Sequence, residues 1–278
     1  MKVYAGIVVY HPDFNRLKEN INSIYSQVES LILVINGYDS LDIAKSCSSG
    51  RDNIFFIINH ENKGIAQALI QIMQFAILNE CDWVLSLDQD SVVKPSLIDT
   101  YKKYMFLEKV AVFTCNIEDR NFIEETGFKI NEEFREVDKC ITAACFMNVE
   151  AYRNCDGYDK KMFIDAVDWD ICLNLRRHGY KIYKINYNGL LQEVGKAKSV
   201  KLFSKKYITY GHSPLRNYYQ ARNNVYITKK YPEYLSKLKA FLIEIRTILL
   251  IVLFESNKIM KVLQRIKGIY DGFKLFID

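Results

Sequence analysis

The chain lacks the paired cysteines, the long apolar run and the strong charge that mark several classes of protein. Its seven cysteines form no C-x-x-C pair and no regular spacing, which argues against a zinc site and favours reduced, mostly buried thiols. No stretch of about 18 uncharged apolar residues is present, so a membrane-spanning helix is not predicted. The formal net charge of +5 is too mild to indicate a nucleic-acid partner.

Proline is also scarce, with four residues in 278, and the strand-like run that follows Met1 contains no cleavage signal. Hydrophobic residues make up 49% of the chain and charged residues 26%, which is typical of a globular protein with a sizeable core. The length suits one large domain, or one domain with an appendage. We therefore expect a globular, cytoplasmic protein.

Apolar runs in the first ninety residues predict buried strands, and segments with helical spacing lie between them. Leu17, Ile21 and Ile24 recur at helical intervals, and residues 64–78 predict a helix that packs on a sheet. Strands that alternate with helices indicate a mostly parallel α/β sheet. The predicted strands cover residues 3–10, 30–35, 53–58 and 83–88.

Two acidic residues, Asp88 and Asp90, stand at the end of the fourth predicted strand. Residues two apart in an extended chain project to the same side, so Asp88 and Asp90 are expected to converge beyond the strand end. Paired carboxylates suit a hard divalent cation, which shares its oxygen ligands with substrate phosphates. A solvated surface turn is the alternative for this short pattern.

Polar residues also follow the other predicted strands, at the edge where ligands bind in parallel sheets. Tyr10 ends the first strand and Pro12 follows it, Asn36 follows the second strand and residues 59–64 follow the third. Asn36 precedes a glycine, so a plain turn is the alternative there. Four polar segments at one edge predict a binding crevice.

Three acidic residues surround the start of a predicted helix in the second half of the chain. Asp170 precedes a helix-spaced apolar run and is a plausible N-cap. Asp165 and Asp168 would then lie just before the helix, whose positive end stabilises an ionised carboxylate. Simple capping is the alternative for all three.

Residues 138–147 are predicted to form a strand that returns to the sheet.

These motifs, in this order, resemble the inverting family 2 glycosyltransferases of the GT-A fold, over roughly residues 1–228. Within that family the chain is most similar to the rhamnosyltransferases of bacterial surface-polysaccharide synthesis. The sequences that indicate this subgroup are Asn-x-Gly-Ile-Ala-x-Ala at 62–68, Asp-Gln-Asp-Ser at 88–91 and Ile-Asp-x-Val-Asp at 164–168.

The resemblance implies a fold and a reaction. It implies a Rossmann-like, mostly parallel sheet flanked by helices at 1–230 and a C-terminal helical extension at 231–278. The implied donor is dTDP-rhamnose, held with Mg or Mn, and the implied acceptor is a saccharide, linked to polyprenyl diphosphate. The alternatives are a hexosyltransferase that uses a UDP-sugar and a non-catalytic relative that only binds sugar nucleotides or acts as a scaffold.

Residue roles also follow from the resemblance. Asp168 would be the general base, with Asp165 as the alternative. Residues 142–145 (Thr-Ala-Ala-Cys) stand where the family has the motif Thr-Ser-Gly-Ser. In the family this motif lies on a strand that faces the acceptor. The implied metal ligands are Asp88, Asp90 and His212. The residues implied to bind the donor are Tyr10, Pro12, Asn36, Lys63, Asp88, Gln89 and Arg216.

The sequence after Pro232 predicts one or two long helices that reach about residue 275. Their apolar runs are interrupted by Glu244 and Arg246, and lysines are frequent. A basic amphipathic helix can lie on an anionic membrane, here the cytoplasmic face of the bacterial inner membrane. Packing on the catalytic domain or in a homodimer is the favoured interpretation, and both this packing and membrane contact can hold.

Overall fold

The computed structural model describes residues 1–119, 132–192, 198–202, 205–209 and 211–277. The strands in those ranges are β1 (Val3–Val9), β2 (Ser30–Asn36), β3 (Ile54–Asn59), β4 (Trp83–Asp88), β5 (Val92–Val93), β6 (Val110–Asp119), β7 (Phe134–Glu136), β8 (Cys145–Asn148), β9 (Lys181–Gln192), β10 (Lys198–Leu202) and β11 (Lys205–Thr209). The α-helices are α1 (Phe14–Ile24), α2 (Leu41–Ser48), α3 (Ile65–Leu78), α4 (Leu97–Lys102), α5 (Val149–Arg153), α6 (Val167–Arg177), α7 (Pro214–Lys230), α8 (Lys237–Phe254) and α9 (Lys258–Lys274).

The chain forms two compact units. The first contains Met1–Lys161 and Val167–Glu193, and the second contains Met162–Ala166 and Val194–Asp278. The boundary predicted at residue 230 stays a prediction.

A mixed sheet forms the centre of the first unit, in the strand order β3-β2-β1-β4-β8-β6-β9-β5, and β7 pairs with β9. The first four strands of the chain pair in parallel, as do β6 and β9. β8 runs antiparallel between β4 and β6. The register pairs Val8 with Asp88 and Asn36 with Asn59, so these strand ends share one edge. The predicted α/β sheet with flanking helices is confirmed.

Burial on the sheet explains why the first four strands were readable from sequence. The strands β1, β2 and β4 are buried almost throughout, because helices cover the sheet. The side chains of Leu17, Ile21 and Ile24 on α1 are also buried, as their spacing predicts. Helix α3 lies so close to β1 that a Cβ on Gly6 would be 2.5 Å from Ile72 Cγ2.

Two local predictions are wrong. The strand predicted at 138–147 is limited to β8, because Ala144 has φ +60° and leaves the extended conformation. Helix α6 already begins at Val167, so Asp170 is not its N-cap. Asp168 and Asp170 instead both lie in the first turn of that helix.

Three helices and the β10–β11 hairpin are described in the second unit. Ser213 caps α7, with Pro214 as its first residue. Arg265 of α9 is 3% exposed, and its guanidinium donates to Glu244 of α8 at 2.7 Å and to Asn217 of α7 at 3.1 Å. The prediction of one or two long helices after Pro232 is confirmed, and the structure has two. No helix in the described part of the chain is long and apolar enough to cross a membrane.

Candidate active site at the carboxyl edge of the sheet

Asp88 ends β4 and is held from two neighbouring elements. Its backbone oxygen accepts a hydrogen bond from Asn20 Nδ2 of α1 at 2.6 Å and another from the Ser91 N–H at 3.1 Å. Its carboxylate Oδ2 accepts a hydrogen bond from Gln192 Nε2, at the end of β9, at 2.8 Å. These bonds fix both the main chain and the carboxylate of Asp88.

Gln89 links the end of β4 to the end of β1. Its Oε1 accepts from the Tyr10 N–H at 2.9 Å, and its Nε2 donates to the Tyr10 carbonyl at 3.1 Å. The Tyr10 ring remains exposed, whereas Pro12 is buried. Tyr10 and Gln89, both predicted to bind the nucleotide-sugar, therefore lie together. The Gln89 side chain is hydrogen-bonded to the backbone of Tyr10.

Asn36, at the end of β2, is 2% exposed and is hydrogen-bonded to the loop that contains Lys63. Its Oδ1 accepts from the Lys63 N–H at 3.0 Å and from Asn59 Nδ2 at 3.2 Å. Its Nδ2 donates to Asn62 Oδ1 at 2.9 Å and to the Gly64 carbonyl at 3.3 Å. Asn36 thus holds the loop between β3 and α3 against the end of β2.

The carboxylate oxygens of Asp88 and Asp90 are the type of ligand that a hard divalent cation prefers. The described residues contain no group of three or more His, Cys, Asp and Glu side chains arranged to hold a metal. Two carboxylates, with the remaining positions filled by phosphate oxygens and water, form the arrangement in which Mg²⁺ is usually bound. Gln192 supports one of these carboxylates in the way that outer-shell residues orient metal ligands.

Asp168 lies in the first turn of α6 and is half-buried. Its Oδ1 accepts a hydrogen bond from the Trp169 N–H at 2.9 Å, and the helix N-terminus stabilises its ionised form.

Two cysteines of the first unit lie close together, with the sulfur atoms of Cys140 and Cys172 3.8 Å apart. A hydrogen bond with Cys140 and burial raise the pKa of Cys172 well above its usual range, so this thiol stays protonated.

Arg216, predicted to bind the nucleotide-sugar, and Asp165, the alternative general base, form an ion pair in the second unit. Arg216 Nε lies 3.0 Å from Asp165 Oδ2, and Arg216 Nη2 lies 2.9 Å from Asp165 Oδ1. Asn223 Nδ2 donates to the Asp165 carbonyl at 2.7 Å, which fixes this turn on α7. Because both carboxylate oxygens accept from a guanidinium, Asp165 is the weaker candidate for a general base.

His212 also belongs to the second unit and precedes α7. Burial and the neighbouring charge of Arg216 lower the pKa of the His212 imidazole below its ordinary value. The side chain is therefore neutral at pH 7, which is the form that binds a metal ion.

Sequence reasoning missed Asn20 and Gln192. Asn20 occupies a fully buried position on the face of α1 that carries Leu17, Ile21 and Ile24, and a polar residue at such a position is a readable signal. Gln192 has no comparable signal, because it is 104 positions from Asp88 in the sequence.

The family model described as Glycosyl transferase family 2 matches residues 6–151 of the chain. The chain is 24% identical to dTDP-rhamnosyl transferase RfbF from Shigella flexneri, over 98% of this chain and 95% of that protein.

Solved structures are similar to the chain at low sequence identity. The structure of S. aureus TarS 1–349 in complex with UDP-GlcNAc has a TM-score of 0.62 and 13% identity, and covers 99% of this chain and 81% of that one. The structure of GalNAc-T7 with UDP, GalNAc and Mn²⁺ has a TM-score of 0.62 and 12% identity, over 83% of this chain. The match covers 48% of that protein, so the chain spans about half its length. The fold is thus that of the GT-A glycosyltransferases.

Proposed function

The chain belongs to glycosyl transferase family 2 and is a glycosyltransferase, and we propose that it transfers rhamnose from dTDP-rhamnose, with a divalent cation and inversion at the anomeric carbon. The observation that carries this proposal is the pair Asp88 and Asp90 at the end of β4, with the Asp88 carboxylate oriented by Gln192. This edge of the sheet is where ligands bind in α/β folds.

The choice of donor is supported by the similarity to a dTDP-rhamnosyl transferase along nearly the whole chain. Transfer of another hexose from a UDP-sugar is the second candidate. It is favoured by the likeness to structures that contain UDP or UDP-GlcNAc. A non-catalytic relative is disfavoured, because Asp88, Asp90 and Asp168 are all retained.

The carboxylates of Asp88 and Asp90 would hold Mg²⁺ or Mn²⁺ against the donor diphosphate. A bound cation neutralises the negative charge that develops on the leaving nucleoside diphosphate. The loop held by Asn36 brings the backbone of Lys63 to the same edge of the sheet as Asn59, and we propose that this loop covers the nucleotide. His212 and Arg216 are proposed to contact the metal and the diphosphate, on the family resemblance alone.

Asp168 is proposed to accept the proton of the acceptor hydroxyl as that oxygen attacks the anomeric carbon. A carboxylate at a helix N-terminus is ionised at pH 7 and ready to take a proton. A single in-line attack, with the nucleoside diphosphate leaving from the opposite face, inverts the configuration. The hydrogen bond from the Trp169 N–H to Asp168 Oδ1 helps to orient this carboxylate.

We further propose that the acceptor is a saccharide linked to polyprenyl diphosphate, in the synthesis of a bacterial surface polysaccharide. Such an acceptor would bring the protein to the cytoplasmic face of the membrane. The exposed apolar side chains of α8 and α9 support membrane contact through these two helices. A homodimer formed through the same helices is the alternative.

Calorimetric titration of the purified chain with nucleotide-sugars, in the presence of Mn²⁺, tests the donor assignment. We expect dTDP-rhamnose to bind at least about tenfold more tightly than UDP-GlcNAc, a difference of about 1.4 kcal/mol. Binding of dTDP-rhamnose should weaken when the metal is removed by a chelator. Tighter binding of the UDP-sugar would instead support the second candidate.

A further inference from the structure

Helices α8 and α9 each expose a stripe of large apolar side chains. The spacing alternates between four and three residues, so each set lies along one side of its helix. The exposed fractions range from 42% at Val252 to 74% at Ile259. The stripe on α8 consists of Leu238, Leu242, Ile245, Leu249 and Val252. The stripe on α9 consists of Ile259, Leu263, Ile266, Tyr270 and Phe273.

These stripes are separate from the faces that pack inside the second unit. On α9 the buried positions are Lys261, Arg265, Gly268 and Gly272, which alternate with the stripe. A Cβ on Gly268 would lie 2.2 Å from the Tyr218 carbonyl oxygen, so this face is in direct contact with α7. Within the described part of the chain both stripes remain exposed, and apolar surface of this extent marks an interaction site.

The charges on the two helices identify the kind of partner. Together α8 and α9 carry eight Lys and Arg residues and two acids, so their net charge of +6 exceeds the +5 of the whole chain. The two acids are engaged locally. Glu244 is buried against Arg265, and Asp271 accepts a hydrogen bond from the Tyr218 hydroxyl at 2.8 Å. The exposed charged residues of both helices are Lys237, Lys239, Arg246, Lys258, Lys267 and Lys274.

We propose that α8 and α9 form a surface that binds an anionic lipid bilayer. The apolar stripes would enter the boundary between headgroups and acyl chains, and the lysines would contact lipid phosphates. Aromatic side chains such as Tyr270 and Phe273 suit that boundary. The helices would lie in the interface rather than cross it, in keeping with their length and apolarity.

A second copy of the chain is the rival occupant, because the four-and-three spacing also suits helix pairing. Charge argues against it. Two copies facing each other would bring two sets of exposed basic side chains together, with both acids already paired inside each copy. Anionic lipid provides the opposite charge.

Flotation of the full chain with lipid vesicles tests the proposal. We expect it to float with vesicles of equal parts phosphatidylcholine and phosphatidylglycerol. Pure phosphatidylcholine should bind it at least about tenfold more weakly, and added salt should release it from the mixed vesicles. The readout is lipid binding and not sugar transfer, so its outcome is independent of the proposed reaction.

Matched charge variants locate the surface. Replacing Lys237, Lys239, Lys258 and Lys267 with Gln should reduce partition into the anionic vesicles at least about tenfold. The control replaces Lys45, Lys103, Lys109 and Lys160, exposed lysines of the first unit, and should float like the unchanged chain. Circular dichroism verifies that both variants are folded.

Three results would overturn the proposal. One is that the chain stays in solution with the anionic vesicles. Another is that the tail variant and its control float equally well. The third is a dimer in sedimentation equilibrium that does not bind vesicles, which would assign the stripes to a second copy.

Discussion

At the scale of single residues, the candidate site is a set of carboxylates whose positions depend on neutral amides. Asp88 is oriented by Asn20 and Gln192, and the loop of Lys63 is held by Asn36. The amides carry no charge that would compete with a cation, yet they determine where the charged groups lie. This division of roles leads to separate expectations for the acids and for the amides.

Replacing Asp90 with Ala should remove one of the two carboxylates proposed to bind the metal. We expect turnover to fall at least about 100-fold, because the charge of the leaving diphosphate is no longer neutralised. Donor binding should also become insensitive to Mn²⁺. Asp52→Ala, at an exposed position in the same unit, serves as the control. Unchanged metal dependence in Asp90→Ala would show that the metal assignment is wrong.

Asp168→Asn keeps the shape of the side chain and removes its basicity. We expect kcat to fall by a factor of about 10² to 10⁴, the usual contribution of a general base, while the donor Kd stays the same. Steady-state kinetics and calorimetry on the same variant separate these effects. Loss of donor binding would make Asp168 a binding residue, and loss of turnover only in Asp165→Asn would exchange the two roles.

Gln192→Leu should loosen the Asp88 carboxylate without changing the set of acidic ligands. We expect Mn²⁺ affinity in the presence of nucleoside diphosphate to fall about 10- to 100-fold, as for other residues that orient metal ligands. Thermal stability should change little, which separates this effect from misfolding. Gln74→Leu, at an exposed position of α3, is the matched control. Equal Mn²⁺ affinity in the two variants would exclude a positioning role for Gln192.

At the scale of elements, close helix packing determines the structure of the second unit. Gly268 and Gly272 occupy successive turns of α9, and a Cβ at Gly272 would lie 2.5 Å from the Arg222 carbonyl oxygen of α7. Next to this contact, the buried pair of Arg265 and Glu244 joins α9 to α8. A residue larger than glycine at either position would force the two helices apart.

Gly268→Ala is therefore expected to destabilise the protein, although alanine is the better helix former by about 1 kcal/mol. Forcing a methyl group against a backbone carbonyl costs about 1–3 kcal/mol. We expect the Tm to fall by several degrees in a calorimetric scan. Lys267→Ala, at an exposed position of the same helix, should leave the Tm nearly unchanged or raise it. A stabilised Gly268→Ala variant would contradict this account of the packing.

Element predictions succeeded where the residue pattern was local and failed where it depended on distant contacts. The strands β1 to β4 follow from continuous apolar runs, and α1 follows from Leu17, Ile21 and Ile24. The segment 138–147 was predicted as a longer strand, but its chain turns at Ala144 and only β8 pairs with β4. A backbone conformation with positive φ at an alanine gives no signal in the sequence.

At the scale of the whole molecule, the contacts divide the chain near residue 193 and assign residues 162–166 to the second unit. The chain thus enters the second unit, returns to the first through α6 and β9, and leaves it again. This path differs from a catalytic domain followed by a simple tail. The path of the chain therefore determines which parts of the second unit a C-terminal truncation would remove.

A chain that ends at residue 230 tests the domain boundary predicted from sequence. Removing α8 and α9 would expose the face of α7 that contacts Gly268 and would leave Asn217 without Arg265. We expect the shortened chain to aggregate or to unfold at a lower temperature, as seen by light scattering and calorimetry. A soluble, monomeric shortened chain with an unchanged Tm would support the boundary at residue 230.

The sequence by itself determined the α/β class, the parallel strands β1 to β4, the acids at the end of β4 and the helical character of the tail. These features depend on periodicity and order along the chain, which local composition records. Only the tertiary structure revealed that Gln192 supports Asp88, that Arg216 pairs with Asp165 and that apolar stripes stay exposed on α8 and α9. The first two depend on contacts between residues 104 and 51 positions apart, and the third depends on which helix face α7 covers. Folding determines all three, because side-chain partners far apart in sequence are chosen by packing and not by local pattern.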